Sequence, residues 1–390
     1  MPTVDRDLAT TLTQELVRIP SVNPDLVPGA PGEAEVASYI AGKLRDWGLE
    51  VRVNDASPGR PNVVGILKGS GGGRTLLFNG HMDTVGTEGM SDPFSGDVEE
   101  GKVYGRGAID MKGSLAATLC ATKAIVDSNA PLRGNVIFTY VADEEYASVG
   151  TAAVVAEIEA GRLPRPDAAV NTEPSGLRVG IGHKGFAWLA VDVAGTAAHG
   201  SRPDLGVDAI VQMGKVLVEI DRWQERLSAG RAHPLLGTGS VHASLIEGGR
   251  ELSSYPDHCR LKLERRTVPP EDADTVLAEL QAILEKLRTE DGDFRATSEL
   301  LLVRNPFEAD PWSDIFETVS EALARVTGEP AVTMTHTGWL DSALLGDAGI
   351  PTVICGPIGE GLHALVEWAD SASLGTCAQL YADVIEEFCA

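Results

Sequence analysis

One alternation narrows the fold more than any other feature of the chain. Short apolar runs, "NVVGIL" at 62, "TLLFN" at 75, "NVIFTYVA" at 135 and "AAVN" at 168, alternate with stretches whose apolar residues recur at helical spacing, from about Ser114 to Val126 and from Val149 to Glu159. Continuous apolar runs of this length read as strands covered on both faces, and helical crossovers between them set such strands parallel in one sheet. Two amphipathic helices come earlier, over 5–18 and 33–47; the second carries Val36, Tyr39, Ile40, Leu44 and Trp47 and is stopped by Gly48. A chain of 390 residues exceeds one ordinary core, so two domains are expected.

Near residue 183 the texture changes. A strand, "FAWLAVDVAG", is followed by a long amphipathic helix over 207–227, two strands in "GSVHASLIEGG" and "CRLKLERRTV", a helix over 272–289 and a last strand, "FRATSELLLV". The order β-α-β-β-α-β is that of a ferredoxin-like split βαβ unit, complete by itself. After "RNPFEADPWS" the helix–strand alternation resumes, with "PTVICG" at 351 as a buried strand and a helix over 371–388. The expected organisation is therefore a discontinuous α/β domain over 1–182 and 303–390, with a mainly parallel mixed sheet flanked by helices, interrupted by an inserted α+β domain over 183–302.

A formal net charge of −25 argues against non-specific nucleic-acid binding and against an anionic membrane surface. Five scattered cysteines form no C-x-x-C pair, so neither a disulfide framework nor a thiolate zinc site is indicated. The first twenty residues lack a basic segment followed by an apolar core, and no apolar run approaches membrane-spanning length. A reducing cytosol is the simplest expected address.

The apolar runs end in chemistry. "TLLFNGHMDTV" breaks at Gly80 into His81 and Asp83, which share one face in extended backbone. "NVIFTYVA" runs into Asp143, Glu144 and Glu145; "AAVN" into Thr172 and Glu173; the strand at 351 into a glycine-rich loop with His363 and Glu367; and "GRGAIDMKGS" places Asp110 before a helix. In open parallel sheets ligands bind outside the carboxyl ends of the strands, so these segments converge on one edge. Carboxylates gathered there repel one another and require cations. Nitrogen and oxygen donors without thiolate suit zinc, cobalt or manganese, and so many ligands suit two metals roughly 3.5–4 Å apart. "GRGAIDMKGS" lacks the order a phosphate loop requires, no G-x-S-x-G elbow is present, and Cys355 reads as a small core residue.

The segments "GHMDTV", "GRGAIDMKGS", "DEEYASVGT", "NTEP", "AAHGSRPDLGVDA" and "GLHALVEW", in that order, resemble those of the dinuclear zinc aminoacylase family, which includes acetylornithine deacetylase, succinyl-diaminopimelate desuccinylase, aminoacylases and glutamate-releasing carboxypeptidases. The resemblance covers essentially the whole chain. It implies that His81 and Glu173 ligate one metal, Glu145 and His363 the other, and that Asp110 bridges them, with a cis peptide at Asp110–Met111. It makes Glu144 the general base and Asp83 the carboxylate that orients His81. His199, which on the residues alone caps a loop, becomes an oxyanion donor, and Arg266 the partner of a substrate carboxylate, with Arg265 as its rival. Ser253 stands where the family commonly has asparagine, which bears on contacts to the acyl group or the oxyanion, and Trp339 stands where a smaller residue is expected, either narrowing the pocket or packing in a core.

The expected activity is metal-dependent hydrolysis of an N-acyl-L-amino acid, acetylornithine-like compounds first, with a dipeptidase or carboxypeptidase of the same family as the alternative. A metal-binding partner module without catalysis would show a broken ligand set, and a structural oligomer would not place acids after buried strands. The implied partners are a small N-acyl amino acid or short peptide and a second copy of the chain, joined through the inserted lid domain.

Overall fold

The computed structural model describes residues 2–129 and 131–390. They divide into two compact units: the first runs to Ile181 and adds Ala309–Met334 and Leu340–Ala390, and the second is Gly182–Glu308 with Thr335–Trp339.

In the first unit four strands form a parallel centre, in the order Val136–Val141, Leu76–His81, Ala168–Asn171, Thr352–Ile354. Their backbones are buried on both faces, which is why these runs are apolar throughout rather than alternating. Outside this centre the sheet turns antiparallel: Arg60–Leu67 pairs with Val136–Val141, Glu50–Ser57 with Arg60–Leu67, and Val179–His183 with Thr352–Ile354. The strand Glu50–Ser57 escapes a reading based on apolar runs because it is a half-exposed edge interrupted by Asn54 and Asp55.

Alternate side chains of the central strands serve two cores. Leu77 and Ile137 face Val154, Ile158 and Leu345 from the helices Val149–Glu159 and Ser342–Asp347. Their neighbours Phe78 and Phe138 stack at 5.5 Å between ring centroids, and Tyr381 of the C-terminal helix Ser371–Phe388 meets Phe78 edge-on at 5.2 Å. That helix packs with Arg6–Val17 and Gly113–Ser128. Asp5 and Asp370 cap the first and last helices by accepting from backbone N–H groups of their first turns, the role expected of aspartate there.

The second unit is a four-stranded antiparallel sheet in the order Ser240–Gly248, His258–Thr267, Gly185–Ala194, Arg295–Arg304. The helices Ala209–Ala229 and Ala273–Glu290 bury Trp223, Val216, Leu280 and Leu284 against Leu189, Val191, Leu261 and Leu263. The unit closes with the short strand Phe307–Glu308 pairing antiparallel with His183 and Gly182, which is why its bounds lie at Gly182 and Glu308.

Phe78→Ala removes a ring packed on two others in the centre of the sheet, and is expected to cost about 3–5 kcal/mol. Urea unfolding checks this, and a loss below about 1 kcal/mol would place the ring outside the core.

Candidate metal centre

The parallel strands end in the residues singled out by their sequence. His81 is the last residue of Leu76–His81, Glu173 lies two residues past the end of Ala168–Asn171, and Asp143, Glu144 and Glu145 follow Val136–Val141. On a regular strand Glu144 and Glu145 would face opposite ways. Asp143 adopts a left-handed conformation (φ 67°), and the chain turns so that the Ser148 N–H donates to the Asp143 carbonyl at 2.5 Å.

Asp83 holds that turn. Its Oδ1 accepts from the Glu144 N–H at 3.1 Å, and its Oδ2 from the Glu145 N–H at 3.2 Å and from Asn23 Nδ2 at 2.8 Å. This occupation changes the expected pairing with His81. The ring's Nδ1–H donates to the Asp83 carbonyl oxygen at 3.0 Å, while the carboxylate, drawn toward two backbone N–H groups, stands at 3.4 Å. His81 Nε2 is thereby directed at Asp110 and Glu173.

Asp110 sits in the turn Ala108–Lys112 that opens the helix Gly113–Ser128, after Gly107 at φ 81°, and its peptide bond to Met111 is cis. Glu367 grips this turn with both oxygens. Oε1 accepts from the N–H groups of Ile109 (3.0 Å) and Asp110 (3.1 Å), and Oε2 from Gly107 N–H (3.1 Å) and Arg106 Nη1 (2.6 Å). Arg106 Nη2 donates to the Ala364 carbonyl at 2.9 Å. Ala364 and His363 lie on the loop between the paired strands Gly359–Glu360 and Trp368–Asp370, and the latter pairs with Lys102–Tyr104 just before the Asp110 turn. One small sheet and one buried ion pair thus tie together the two loops that carry Asp110 and His363.

The six groups converge. Asp110 Oδ1 is 3.2 Å from His81 Nε2 and Oδ2 is 3.4 Å from His363 Nε2. Glu145 Oε2 is 3.0 Å from His363 Nε2, and Glu173 Oε1 is 3.7 Å from His81 Nε2. His81, Glu144 and Glu173 offer donor atoms within 4.8 Å of one another, as do His81, Asp110 and Glu145. Glu145 Oε1 is buried and has no hydrogen-bond partner among the described residues.

Electrostatics mark the same cluster. Burial, then the charge of Glu173, push the Glu144 carboxyl well above its ordinary range; burial and neighbouring carboxylates do the same to Glu173, and Glu145 is pushed up to about 7 by burial and Asp110. Hydrogen bonds that His363 donates to Asp110 and Glu145 lift it to about 10. Burial alone would lower His81, but the charge of Glu173 and the neighbouring carboxylates of Asp110 and Asp83 raise it well above the ordinary value. The carboxylates thus favour positive charge on both imidazoles and disfavour ionising together. Two imidazoles and several carboxylates, one with an unsatisfied buried oxygen and one directing an oxygen at each imidazole, fit a pair of divalent cations.

Sequence reasoning missed the support behind this cluster. Arg60, buried at the start of its strand, donates to Glu33 at 2.6 and 2.8 Å, reaches Asp143 at 3.2 Å and pairs with Asp25. Asn23 bridges Asp83 and Asp143 at 2.8 and 3.0 Å. Asp341 accepts from Thr151 at 2.6 Å and is pushed up to about 6, mainly by burial. No local pattern announces these residues, because their partners lie far off in the chain.

His199, Ser253 and Arg266 belong to the inserted unit. His199 Nδ1 lies 2.8 Å from Ser201 Oγ and 3.2 Å from the Ser201 N–H, and the ring is exposed. The Gly200 N–H donates to the Ser253 carbonyl at 2.7 Å, which brings the His199 loop beside Ser253. Arg266 Nε donates to Glu264 at 2.7 Å, with the guanidinium over the Phe186 ring. Arg265 is fully buried, pairs with Glu271 at 2.6 Å and donates to the Arg266 carbonyl; that engagement removes it as a rival for a substrate carboxylate. Trp339, half-buried, donates to the Asn305 carbonyl at 3.0 Å and meets His183 and Phe186 edge-on, a packing role.

All five cysteines are buried as free thiols, and no helix among the described residues is long and apolar enough to cross a membrane. The chain is similar to the N-formyl-4-amino-5-aminomethyl-2-methylpyrimidine deformylase of Bacillus subtilis (strain 168), 28% identical with 93% of this chain and 91% of that protein covered. It is equally similar to the succinyl-diaminopimelate desuccinylase of Methylocella silvestris, 28% identical over 98% of this chain and 99% of that protein. Among solved structures, the aminopeptidase PepT from Bacillus cereus ATCC 10987 shares the fold at a TM-score of 0.80 and 22% identity, covering 99% of this chain and 100% of that one. Residues 77–387, which carry every strand end described above, match the model of peptidase family M20/M25/M40, and the chain belongs to this family of amide-bond hydrolases.

Proposed function

We propose that the chain is a two-metal amidohydrolase that removes the acyl group from an N-acyl-L-amino acid, in the manner of an acetylornithine deacetylase. The observation that carries this reading is Asp110, whose two oxygens point one to each imidazole, His81 and His363. In this reading His81 and Glu173 hold one cation, Glu145 and His363 the other, and Asp110 both. Zinc suits the donor set, with cobalt or manganese as substitutes. Two such ions supply polarisation of the amide carbonyl and water of depressed pKa. Both relatives described above are named for removing an acyl group, formyl or succinyl, which supports deacylation over peptide cleavage.

The chain's own groups then have distinct tasks. Glu144, raised well above its ordinary range, takes a proton from the water that attacks the carbonyl carbon and returns it to the amine nitrogen as the C–N bond breaks. Asp83 keeps Glu144 and Glu145 in register by holding both of their N–H groups. His199 donates from Nε2 to the carbonyl oxygen as negative charge develops there, a tautomer supported by the Ser201 N–H on Nδ1. Arg266 takes the substrate's α-carboxylate, and Ser253, beside the His199 loop, contacts the acyl group.

Two assignments beyond the reaction belong to the same reading. Homodimerisation through the inserted unit is supported by the strand Ser240–Gly248, which lies at the sheet edge with Leu245 and Ile246 exposed, and by Ile210, Val211 and Val218 exposed on the helix Ala209–Ala229. A cytosolic location is supported by five buried thiols left unpaired.

Amine release from N-acyl amino acids, N-acetylornithine included, against a panel of simple dipeptides tests the activity. Release from the acyl set, abolished by a chelator and restored by zinc or cobalt, is expected; release from dipeptides alone would make the enzyme a peptidase. Glu144→Gln should lower kcat by roughly 10²–10⁴-fold while metal content, read by atomic absorption, stays at two per chain. Loss of metal instead would assign Glu144 as a ligand. His199→Ala should lower kcat by roughly 10²–10³-fold with KM little changed, and an unaltered rate would remove it from the reaction.

A further inference from the structure

A cavity of about 690 Å³ opens in the first unit beside the His363 loop, and His363 itself forms part of its wall. Because His363 Nε2 faces Asp110 and Glu145, the cavity adjoins the candidate metal centre on that side. Its volume falls in the range of small-molecule sites, and such sites are apolar with a few polar groups. Here Val22, Val27, Ala30, Val85, Phe94 and Leu365 supply the apolar surface. They come from three loops that lie together, with Val27 against Gly86 and Leu365 against Gly89.

Charge decides what can enter. Among the described residues Arg106 is the single Lys or Arg in the lining; it is buried and ion-paired with Glu367, with Nη1 donating to that carboxylate at 2.6 Å, Nε to the Gly86 carbonyl at 3.1 Å and Nη2 to the Ala364 carbonyl at 2.9 Å. The exposed carboxylate of Glu88 also lines the cavity. A carboxylate entering here would lose water, find the one guanidinium in the wall already paired with Glu367 and meet the like charge of Glu88. An uncharged hydrocarbon group would gain burial without that cost.

We infer that this cavity is the acyl subsite, and that the enzyme acts on N-acyl amino acids whose acyl group is uncharged, apolar and larger than acetyl, branched aliphatic or aromatic. The inference rests on the amidohydrolase reading above. An α-carboxylate finds no partner in the cavity, so the group it receives is the one on the other side of the scissile amide. Acetyl would leave most of the space unfilled, and succinyl would bring a charge into it.

The test is kcat/KM of the zinc-loaded, full-length enzyme for one amino acid carrying acetyl, butyryl, isovaleryl, benzoyl or succinyl on its nitrogen. The expected series rises by roughly tenfold or more from acetyl to isovaleryl or benzoyl, with succinyl below both. Val27→Trp, at a half-exposed wall position that tolerates bulk, should reduce the benzoyl-to-acetyl ratio of kcat/KM at least tenfold, acting through KM. A flat series, a preference for succinyl, or a ratio that Val27→Trp leaves unmoved would overturn the subsite while leaving the hydrolase intact. Release from none of the five compounds, with two metals bound, would overturn the N-acyl amino acid reading and the subsite with it.

Discussion

Mutual repulsion among buried carboxylates organises the catalytic unit. Asp83, Asp110, Glu144, Glu145 and Glu173 meet at one edge of a parallel sheet, where burial removes the water that would otherwise screen them. Their charge has three sources of relief in the protein itself: the two imidazoles, protons retained on the raised carboxyls, and backbone N–H groups. Divalent cations would replace the protons and free the imidazoles as neutral ligands, so metal binding and deprotonation are one event at this site.

A cluster under that tension keeps its geometry only if the backbone around it is held from outside. Two buried carboxylates do this without facing the cations. Glu367 accepts four hydrogen bonds from the Asp110 turn and its neighbour Arg106, and Asp83 accepts from the N–H groups of both Glu144 and Glu145. Each is in turn tied to a residue from elsewhere in the chain, Arg106 for the first and Asn23 for the second. Arg60 closes the outer ring by joining Glu33, Asp25 and Asp143. Orientation of metal-binding groups by such partners is what gives a site of this kind its precision.

The apolar cavity beside His363 and the engaged guanidinium of Arg106 belong to the same economy of charge. Arg106 anchors the Asp110 turn through its buried ion pair with Glu367, and it underlies an apolar wall of the cavity. In the subsite proposed above, structural support and substrate preference would be set by one side chain.

Most of the architecture was legible in the chain, because buried parallel strands must be apolar throughout and their helices must be amphipathic; the helix Val149–Glu159 lies where its pattern places it. The edge strand Glu50–Ser57 was not, since a half-exposed strand carries no such run, and the two-residue and three-residue strands of the small sheet are too short to show a period. At the site, His81, Asp110, Glu144, Glu145, Glu173 and His363 were legible because each follows a strand or opens a helix at one sheet edge. By itself, then, the sequence determined the elements, the convergence of strand ends on one edge of the sheet and the residue types gathered there, because apolar runs, helical periodicity and the residues that end them are local pattern. Only the tertiary structure decided that His81 donates to the Asp83 carbonyl and that Arg265 is buried against Glu271, since backbone turns and burial set those contacts, and that Arg60, Asn23, Arg106 and Glu367 hold the site in place, because their contacts join residues up to 261 positions apart.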